Sequence, residues 1–452
     1  MYKYSKELLS DYLNRFSWEF KNIFLERSDS FNITIKNHVI EPISINIDSW
    51  FSLLSRTKDE TFFMAGTDID TIEHNIKIFR ETYHLDWTRT PINCDNKDII
   101  EFKDISFIDD ISFYSDILKE ADEQTKYKDF IESVEIRMSI WYKQFITISS
   151  KAWVNNDNNK YISLIIILTW KKWDKREMWY EIESKQHLDS EYFNKELLDS
   201  KVELAINELE QIIEADKAPI WEMDVLISSS AWWTIIHEAV WHWLEADLQN
   251  SSSYKWKLNT KVASDIVTVI DSPLYNKNYR WYYECDHEWV KASETVLIDK
   301  WILKTYLHTE ETAKLFNTES TGNSRTESYR YRSQVRMSNT YLANWETNPE
   351  DILKSVKEWL FVEKMWWWNV NPATWDFVFE VSKWYTIKDW KKDRLVSWAI
   401  ISWNWPEVLM NIKAIWNDLN YFDPGTCGKN WQWMPVTDAN PTILVKLKVS
   451  AK

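Results

Sequence analysis

The sequence predicts an α+β protein of two domains, with a boundary near residue 218. Mixed helical and strand patterns occupy residues 1–217, the helix-breaking step Ala218-Pro219 follows, and residues 218–452 are patterned mostly as short strands. We therefore expect an N-terminal domain with an antiparallel sheet and helices. The C-terminal domain is expected to be mostly antiparallel β and barrel-like, and to carry a helix with the pattern His-Glu-x-x-x-His.

Helical periodicity occurs four times in the first domain. Apolar residues recur every three or four positions over residues 1–26, 69–84, about 115–131 and 191–216. Short strand-like runs separated by turns fill much of residues 30–105. Strict alternation over residues 134–140 predicts a half-buried strand, and the apolar run 161–170 predicts a buried one.

Short strands dominate the second domain. Apolar and β-branched runs bounded by turn signals predict strands over residues 266–270, 295–298, 375–381 and 442–449. One helix, at about residues 349–359, is expected to interrupt them. The sequence has no internal repeat and no low-complexity tail.

The charge balance and the cysteine count limit the classes of partner and compartment. The chain has 70 acidic and 54 basic residues, a formal net charge of −16, which disfavours nucleic acid or an anionic membrane as the main partner. No run reaches the ~18 apolar residues of a membrane helix, and the N-terminus lacks the apolar core of a signal peptide. Three scattered cysteines are too few for a disulfide framework. We therefore expect a cytoplasmic protein.

Tryptophan is unusually frequent and glycine unusually rare, with 31 and 4 residues. Many tryptophans occupy positions where turns normally need glycine, including residues 366–368 in a polar loop, 403–405 before a turn and 390 between two strand-like runs. Our hypothesis is that UGA codons meaning glycine in the source organism were translated as tryptophan, and UGG codons at these positions would refute it. The alternative is a Trp-rich binding surface, although the tryptophans follow turn positions and do not form a stripe.

His237, Glu238 and His242 give the strongest chemical signal. Imidazole is the commonest ligand of zinc in proteins, and a glutamate next to a ligand histidine is where helix-borne metallohydrolases place the general base. The two histidines are five positions apart, roughly 140° around an ideal helix. Both can reach one metal only if the helix ends, kinks or bulges between them. The alternative interpretation is a buried amphipathic helix whose histidines make local hydrogen bonds.

A catalytic zinc site needs a third protein ligand and keeps one position for water. The candidates are Glu245, which is close in sequence, Cys427, which lies on a tight turn between Gly425 and Gly428, and the polar cluster at residues 285–288. For Cys427 the alternative is a small buried hydrophobe. For the 285–288 cluster it is a solvated strand end.

With glycine in place of tryptophan, residues 237–247 become His-Glu-Ala-Val-Gly-His-Gly-Leu-Glu-Ala-Asp. This resembles the signature of the TldD/PmbA (modulator of DNA gyrase) family of zinc metallopeptidases, on the TldD side. Three later blocks resemble family segments in the same order. They are Gly-Asn-x-Arg-x-Glu-Ser-Tyr with Arg-Met-x-Asn-Thr within residues 321–341, a triple-glycine turn at 365–370, and Cys-Gly-Lys-x-Gly-Gln-x-x-Pro-Val at 427–436. The resemblance is good from about residue 115 to 450 and loose before that.

The resemblance implies roles for four residues. His237, His242 and Cys427 match the zinc ligands of the family, and Glu238 matches the general base. It thereby implies Zn²⁺ as the cofactor and a peptidase that hydrolyses small or unfolded peptides with metal-activated water. Family members of the TldD type pair with a PmbA/TldE-like subunit, so we expect a heterodimer or a homodimer.

Four aspects stay open on the sequence. Glu245 and Asp247 are interpreted as groups that support the ligands or the helix end, and no residue is indicated for substrate binding. Taken literally, Trp241 and Trp243 would crowd the ligand helix. The alternative function is a non-catalytic assembly or binding subunit on the same fold.

Overall fold

The computed structural model describes most of the chain. The described residues are 3–5, 20–57, 60–83, 99–102, 104–149, 155–172, 175–186, 192–217, 221–231, 242–250, 252–328, 330–345, 358–370, 376–388, 391–397, 399–421 and 425–451.

The first half contains nine described strands and three helices. The strands are β1 (Lys3–Ser5), β2 (Phe20–Lys36), β3 (Val39–Ile40), β4 (Ser44–Arg56), β5 (Thr61–Gly66), β6 (Ile99–Glu101), β7 (Ser133–Ser149), β8 (Asn155–Lys172) and β9 (Lys175–Gln186). The helices are α1 (Ile72–Thr82), α2 (Ile108–Glu123) and α3 (Lys195–Ile213). Strands β5-β4-β2-β7-β8-β9 form one antiparallel sheet in that order, with β3 paired to β2, while β1 pairs with β6.

The large sheet has two chemically different faces, because successive side chains of a strand point to opposite sides. One face is apolar and packs against helices; Phe31, Ile136 and Leu164 on it are at most 1% exposed. The opposite face carries Glu26 on β2 and Lys143 on β7, and forms one wall of a cleft toward the second half of the chain. The sheet therefore separates a packed apolar core from a face that carries both polar and aromatic side chains.

A closed barrel organises the second half. Its strands are β11 (Trp221–Ile227), β18 (Glu358–Val370), β19 (Asp376–Lys388), β21 (Ala399–Asn404) and β27 (Ile443–Ala451). The order is β19-β18-β11-β27-β21, and the barrel closes because β21 pairs back onto β19. Only β11 and β18 pair in parallel within this ring. Val225, Leu360, Phe379 and Val445 are at most 1% exposed and belong to its core.

Shorter elements surround the barrel. The added strands are β10 (Asp216–Lys217), β20 (Lys391–Ser397) and β22 (Ile412–Ile415), and the added helices are α4 (His242–Leu244), α5 (Glu310–Phe316) and α6 (Trp405–Met410). A second sheet has the order β14-β13-β12-β17-β26-β23, with β12 (Val269–Asp271), β13 (Thr295–Asp299), β14 (Ile302–Leu303), β17 (Asn339–Leu342), β23 (Asn420–Tyr421) and β26 (Thr437–Asn440). Two hairpins complete the fold: β15 (Ser324–Arg325) with β16 (Gln334–Val335), and β24 (Thr426–Lys429) with β25 (Gln432–Pro435).

The predicted α+β class is confirmed, with the antiparallel, helix-covered sheet in the first half and the barrel in the second. The helical patterns at 69–84 and 191–216 correspond to α1 and α3, and the third lies earlier than predicted, as α2. The division into domains 1–217 and 218–452 stays a prediction. Among the helices of the described ranges, none combines the length and apolar character that crossing a bilayer requires.

Several local predictions are wrong because strand pairing overrides helical periodicity and turn composition. The helix expected over residues 1–26 is contradicted at both ends, where β1 and the start of β2 are strands, while residues 6–19 lie outside the described ranges. The helix expected at 349–359 falls mostly outside them as well, and its last two residues open β18. Residues 366–368, expected in a loop, lie within the same strand. The helix expected around His237 stays a prediction, because residues 232–241 lie outside the described ranges and only His242–Leu244 are described as helical.

Among the described residues, four tryptophans have backbone conformations that normally belong to glycine. Trp256, Trp289, Trp301 and Trp431 have φ values of 63°, 65°, 70° and 62°. A bulky side chain is rare at such angles. Trp431 is the second residue of the two-residue turn between β24 and β25, where Asn430 also has positive φ, and Asn-Gly is the favoured pair for that turn. These angles support the hypothesis that glycine stands at these positions in the natural protein.

Candidate metal centre

Two of the predicted ligands lie side by side. The Sγ atom of Cys427 is 3.1 Å from Nε2 of His242, although 185 residues separate them in sequence. Cys427 is 5% exposed, and the His242 side chain is 20% exposed. A largely buried sulfur beside an imidazole nitrogen is a donor pair of the kind that zinc prefers.

The two donors come from different local structures. His242 lies in helix α4, and Glu245 directly follows that helix with an extended backbone that bridges to Leu307. Cys427 lies on β24, where alternation buries Cys427 and Lys429 on the same side of the strand. The segment 242–245 and the hairpin thus each contribute two polar groups to one site.

Backbone contacts hold the hairpin in place. Arg336 is fully buried and donates from Nη2 to the carbonyl oxygen of Cys427 at 2.7 Å and from Nη1 to that of Gln432 at 3.2 Å. Arg325 donates from Nη2 to the carbonyl oxygen of Pro435 at 2.8 Å. These arginines belong to the two sequence blocks within residues 321–341, which explains why those blocks accompany the cysteine block: they brace the strand that carries the thiol.

Glu245 connects the histidine to a buried lysine. Its Oε2 lies 3.1 Å from Nδ1 of His242 and accepts a hydrogen bond from Nζ of Lys429 at 2.8 Å. Lys429 also donates to both carboxylate oxygens of Asp247, at 2.7 and 2.8 Å. The other oxygen of Glu245, Oε1, is 3.8 Å from Nε of Arg336. The prediction that Glu245 could be a metal ligand is therefore less consistent with the geometry than its interpretation as a supporting group.

The charges of this group shift two pKa values. Burial alone would raise the pKa of Glu245, but Lys429, His242 and Arg336 lower it to about 2. Burial alone would lower the pKa of His242, but the charges of Cys427 and Glu245 raise it well above its ordinary 6.5. Glu245 is therefore ionised at neutral pH and favours a proton on Nδ1 of His242, which leaves Nε2 directed at the sulfur.

The remaining predicted site residues, His237 and Glu238, lie outside the described residues. Among the residues that are described, no group of three or more His, Cys, Asp or Glu side chains could hold a metal ion, so the structure contributes the pair His242 and Cys427. The pair fits zinc in donor type. Bond lengths of about 2.3 Å to sulfur and 2.0–2.1 Å to nitrogen at a tetrahedral angle place the two donor atoms about 3.6 Å apart, so the pair needs to open by about 0.5 Å.

The polar cluster at residues 285–288 makes its own set of contacts. Asp286 and Glu288 are buried, so the interpretation of this cluster as a solvated strand end is wrong for both. Glu288 pairs with Arg56 and accepts from the backbone N–H of Glu310. His287 accepts from the N–H of Thr326 at 2.8 Å through Nδ1, and burial, together with Arg325 and Lys143, lowers its pKa to about 3.

A cleft of about 700 Å³ opens between the large sheet and the second half of the chain. The sheet contributes Glu26, Lys143 and other residues of the face opposite the helices, and residues 282–287 contribute part of the facing wall. Thr426, the neighbour of Cys427, also lines it. The cleft therefore reaches the strand that bears the thiol, and its walls mix aromatic, acidic and basic groups.

Sequence reasoning missed Lys429 and Arg336 as parts of this site. Both lie in blocks that the resemblance had already marked, but a lysine or arginine normally indicates solvent exposure. The signal that could have found Lys429 is its position two residues after Cys427 on the same strand. Because β24 buries Cys427 on one side, the period of two already places Lys429 on that buried side.

Comparison with known proteins identifies similar sequences and similar folds. Residues 221–451 match the profile of the PmbA/TldA metallopeptidase C-terminal domain. A metalloprotease of Archaeoglobus fulgidus is 34% identical over 254 residues, covering 56% of this chain and 58% of the relative. A metalloprotease TldD homolog of Buchnera aphidicola is 34% identical over 52% of this chain and 50% of its own length. A zinc metalloprotease TldD homolog of Saccharolobus solfataricus is 27% identical over 50% of this chain and 51% of its length.

The chain thus spans about half the length of the curated relatives it matches, whereas solved structures match almost throughout. TldE from Thermococcus kodakarensis has a TM-score of 0.72 at 14% identity, covering 96% of this chain and 97% of that one. A candidate modulator of DNA gyrase from Thermotoga maritima has a TM-score of 0.74 at 17% identity, covering 95% and 96%. At such identities the structures establish the fold alone, while the profile covers half of the sequence. The chain belongs to the PmbA/TldD family of metallopeptidases.

Proposed function

We propose that this protein is a TldD-type zinc peptidase that hydrolyses small or unfolded peptides. The observation that carries the proposal is the 3.1 Å contact between Sγ of Cys427 and Nε2 of His242 beside a cleft large enough for several peptide residues. His237 is the proposed third ligand, and Glu238 is the proposed general base. Two imidazoles and one thiolate leave a fourth position of a tetrahedral site for water.

The residues of the chain have separate tasks in this reaction. Bound zinc supplies Lewis acidity, which makes its water acidic enough to ionise near neutral pH and polarises a peptide carbonyl. Glu238 takes the proton from the attacking water and passes it to the amine that leaves when the peptide C–N bond breaks. Glu245 keeps the Nδ1 proton of His242 in place, and the face of the large sheet that carries Glu26 and Lys143 offers polar partners to an extended peptide.

The decisive test is a comparison of the natural protein with its Glu238→Gln variant. We expect the wild type to contain one zinc per chain by elemental mass spectrometry and to cleave unstructured peptides, and the variant to keep the zinc and lose at least ~99% of the activity, in line with removal of a general acid–base worth 10²–10⁴-fold. Full turnover by the variant would refute the proposed role of Glu238. A wild type that binds no zinc would refute the metal centre.

A second candidate function is a non-catalytic assembly or binding subunit, because the solved TldE shares this fold. The presence of both His242 and Cys427, in contact, favours the peptidase. A PmbA/TldE-like protein is the proposed partner, with a homodimer as the alternative, and mass measurement of the purified natural assembly distinguishes the two. A purified complex with no zinc and no peptide hydrolysis would favour the non-catalytic subunit.

A further inference from the structure

We propose that Lys429 is a positioning residue of the metal centre: its ammonium group fixes the carboxylate of Glu245, which orients the imidazole of His242 so that Nε2 faces the metal beside Cys427. This inference rests on the proposed zinc site. It adds a residue that touches neither the metal nor the substrate, and that controls how well the ligands are placed before a metal arrives.

The two elements meet through two parallel contacts. One is the ligand pair, Cys427 with His242, and the other is the ion pair, Lys429 with Glu245, at 2.8 Å. His242 and Glu245 are three residues apart, at the end of helix α4 and just beyond it. Cys427 and Lys429 are two residues apart on β24, so the strand presents both on one side. The contact between Glu245 and His242 at 3.1 Å links the two pairs. When Lys429 and Glu245 are paired, β24 is held at one position along residues 242–245. This also sets the distance between Sγ of Cys427 and Nε2 of His242.

The lysine is held at more than one point. Its side chain is 4% exposed, and Nζ lies within 3.0 Å of a Glu245 oxygen, both Asp247 oxygens and the carbonyl oxygen of Val335. Lysine is rarely buried unless it is paired, and this one has four oxygen acceptors. These contacts restrict the position of Nζ. The hydrogen bond from Nζ in turn restricts the position of the Glu245 carboxylate.

The orientation of Glu245 decides what His242 can do. A ligand imidazole needs its lone pair on the nitrogen that faces the metal, and the partner of the other nitrogen sets that tautomer and the ring plane. Oε2 of Glu245 contacts both Nδ1 of His242 and Nζ of Lys429, so one oxygen atom is shared by the two contacts. Without Lys429, Oε2 loses its fixed partner and lies near the uncompensated carboxylate of Asp247, and the carboxylate is free to turn away from the imidazole.

The test is the zinc affinity of the metal-free full-length protein, measured by competition with a chelating dye, for wild type and Lys429→Met. We expect zinc binding to weaken 10- to 100-fold, the usual effect of removing a group behind a metal ligand. The matched control is Lys383→Met, since the Lys383 side chain is also buried, at 8%, and also pairs with a carboxylate, Glu208 at 2.7 Å. That variant should keep the zinc affinity of the wild type.

A double-mutant cycle separates positioning from general destabilisation. If Lys429 acts through Glu245, then Lys429→Met in a Glu245→Gln background should weaken zinc binding less than threefold beyond Glu245→Gln alone. Cobalt bound in place of zinc should show an altered thiolate-to-metal absorption band in both single variants. Should Lys429→Met fail to fold, Glu245→Gln, which keeps the shape of the side chain, gives the deciding value, and a tenfold loss of affinity is expected.

Three outcomes would overturn the inference and leave the proposed function standing: zinc affinity of Lys429→Met within twofold of wild type, independent effects of the two substitutions, or an unchanged affinity in Glu245→Gln. A wild type that binds no zinc would instead remove the proposed function on which the inference rests.

Discussion

The large N-terminal sheet and the candidate metal centre are each stabilised by a different kind of interaction. The sheet packs long strands and helices through apolar residues that alternate along each strand, such as Phe31 and Ile136. The metal centre uses short elements from distant parts of the chain, and its buried groups are charged: Glu245, Lys429 and Arg336 are 0%, 8% and 0% exposed as whole residues. Burial of apolar surface thus stabilises the sheet, whereas pairing of buried charges sets the positions of the side chains in the candidate centre. Substitutions in the two regions should therefore affect different measured quantities.

The largest contrast is expected between Ile136→Ala and Cys427→Ala. Ile136 is fully buried in the sheet core, so Ile136→Ala should lower the free energy of unfolding by about 2–5 kcal/mol and leave the zinc affinity of the folded chain unchanged. Cys427→Ala should abolish tight zinc binding and peptide hydrolysis while costing the zinc-free chain less than about 1.5 kcal/mol, as a small volume change does. Urea unfolding of the zinc-free proteins and zinc titration measure both. Equal loss of stability in the two variants would show that the regions are not distinct.

Acidification should destabilise the fold through a histidine outside the ligand pair. Burial lowers the pKa of His308 to about 4, below the ordinary value near 6.5, so the folded state keeps His308 neutral where the unfolded state binds a proton. The stability from this group is complete above pH 6.5 and is lost as the pH falls towards 4; at pH 5 the loss is about 2 kcal/mol.

This prediction is checked with His308→Gln, whose unfolding free energy should fall less steeply between pH 6.5 and 5 than that of the wild type. The control is His74→Gln, because His74 is exposed on helix α1. An unchanged pH slope in His308→Gln, or an equal change in the control, would contradict the assignment.

The smallest effect tests the hairpin that carries Cys427. Trp431 has positive φ and is 90% exposed, so Trp431→Gly removes backbone strain of about 1–2 kcal/mol and little packing. We expect the Trp431→Gly substitution to raise the free energy of unfolding by about 1–2 kcal/mol relative to the parent with tryptophan, as measured by urea unfolding. Trp179→Gly is the opposite case, since Trp179 is 2% exposed within strand β9 and its loss should cost about 3–5 kcal/mol. A Trp431→Gly variant that is less stable than its parent would count against the glycine hypothesis.

The sequence indicated the regular parts of the fold better than the parts that depend on distant partners. Alternation and helical spacing located β7, β8, α1 and α3, because local pattern and burial agree there. The helix predicted over residues 1–26 failed where β2 pairs along its whole length with both β4 and β7. Closure of the barrel between β19 and β21 has no local signal.

The site shows the same limit. Cys427 and His242 were assigned through short motifs, and the structure brings them into contact. The ion pair of Lys429 with Glu245 joins residues 184 positions apart, and no periodicity links two such residues. A sequence motif does not show which buried acidic residue pairs with which buried basic residue in the folded protein.

The separation between the two donors also has a consequence for the time at which the proposed metal centre can form during synthesis. A ribosome adding about 5–20 residues per second needs roughly 10–40 s to pass from His242 to Cys427, which lies 185 residues later. Throughout that interval the growing chain has the imidazole of His242 without the sulfur of Cys427, so zinc at the proposed site would have fewer ligands and would exchange readily. On the proposed function, an unfinished chain would therefore lack the complete ligand set that peptide hydrolysis requires.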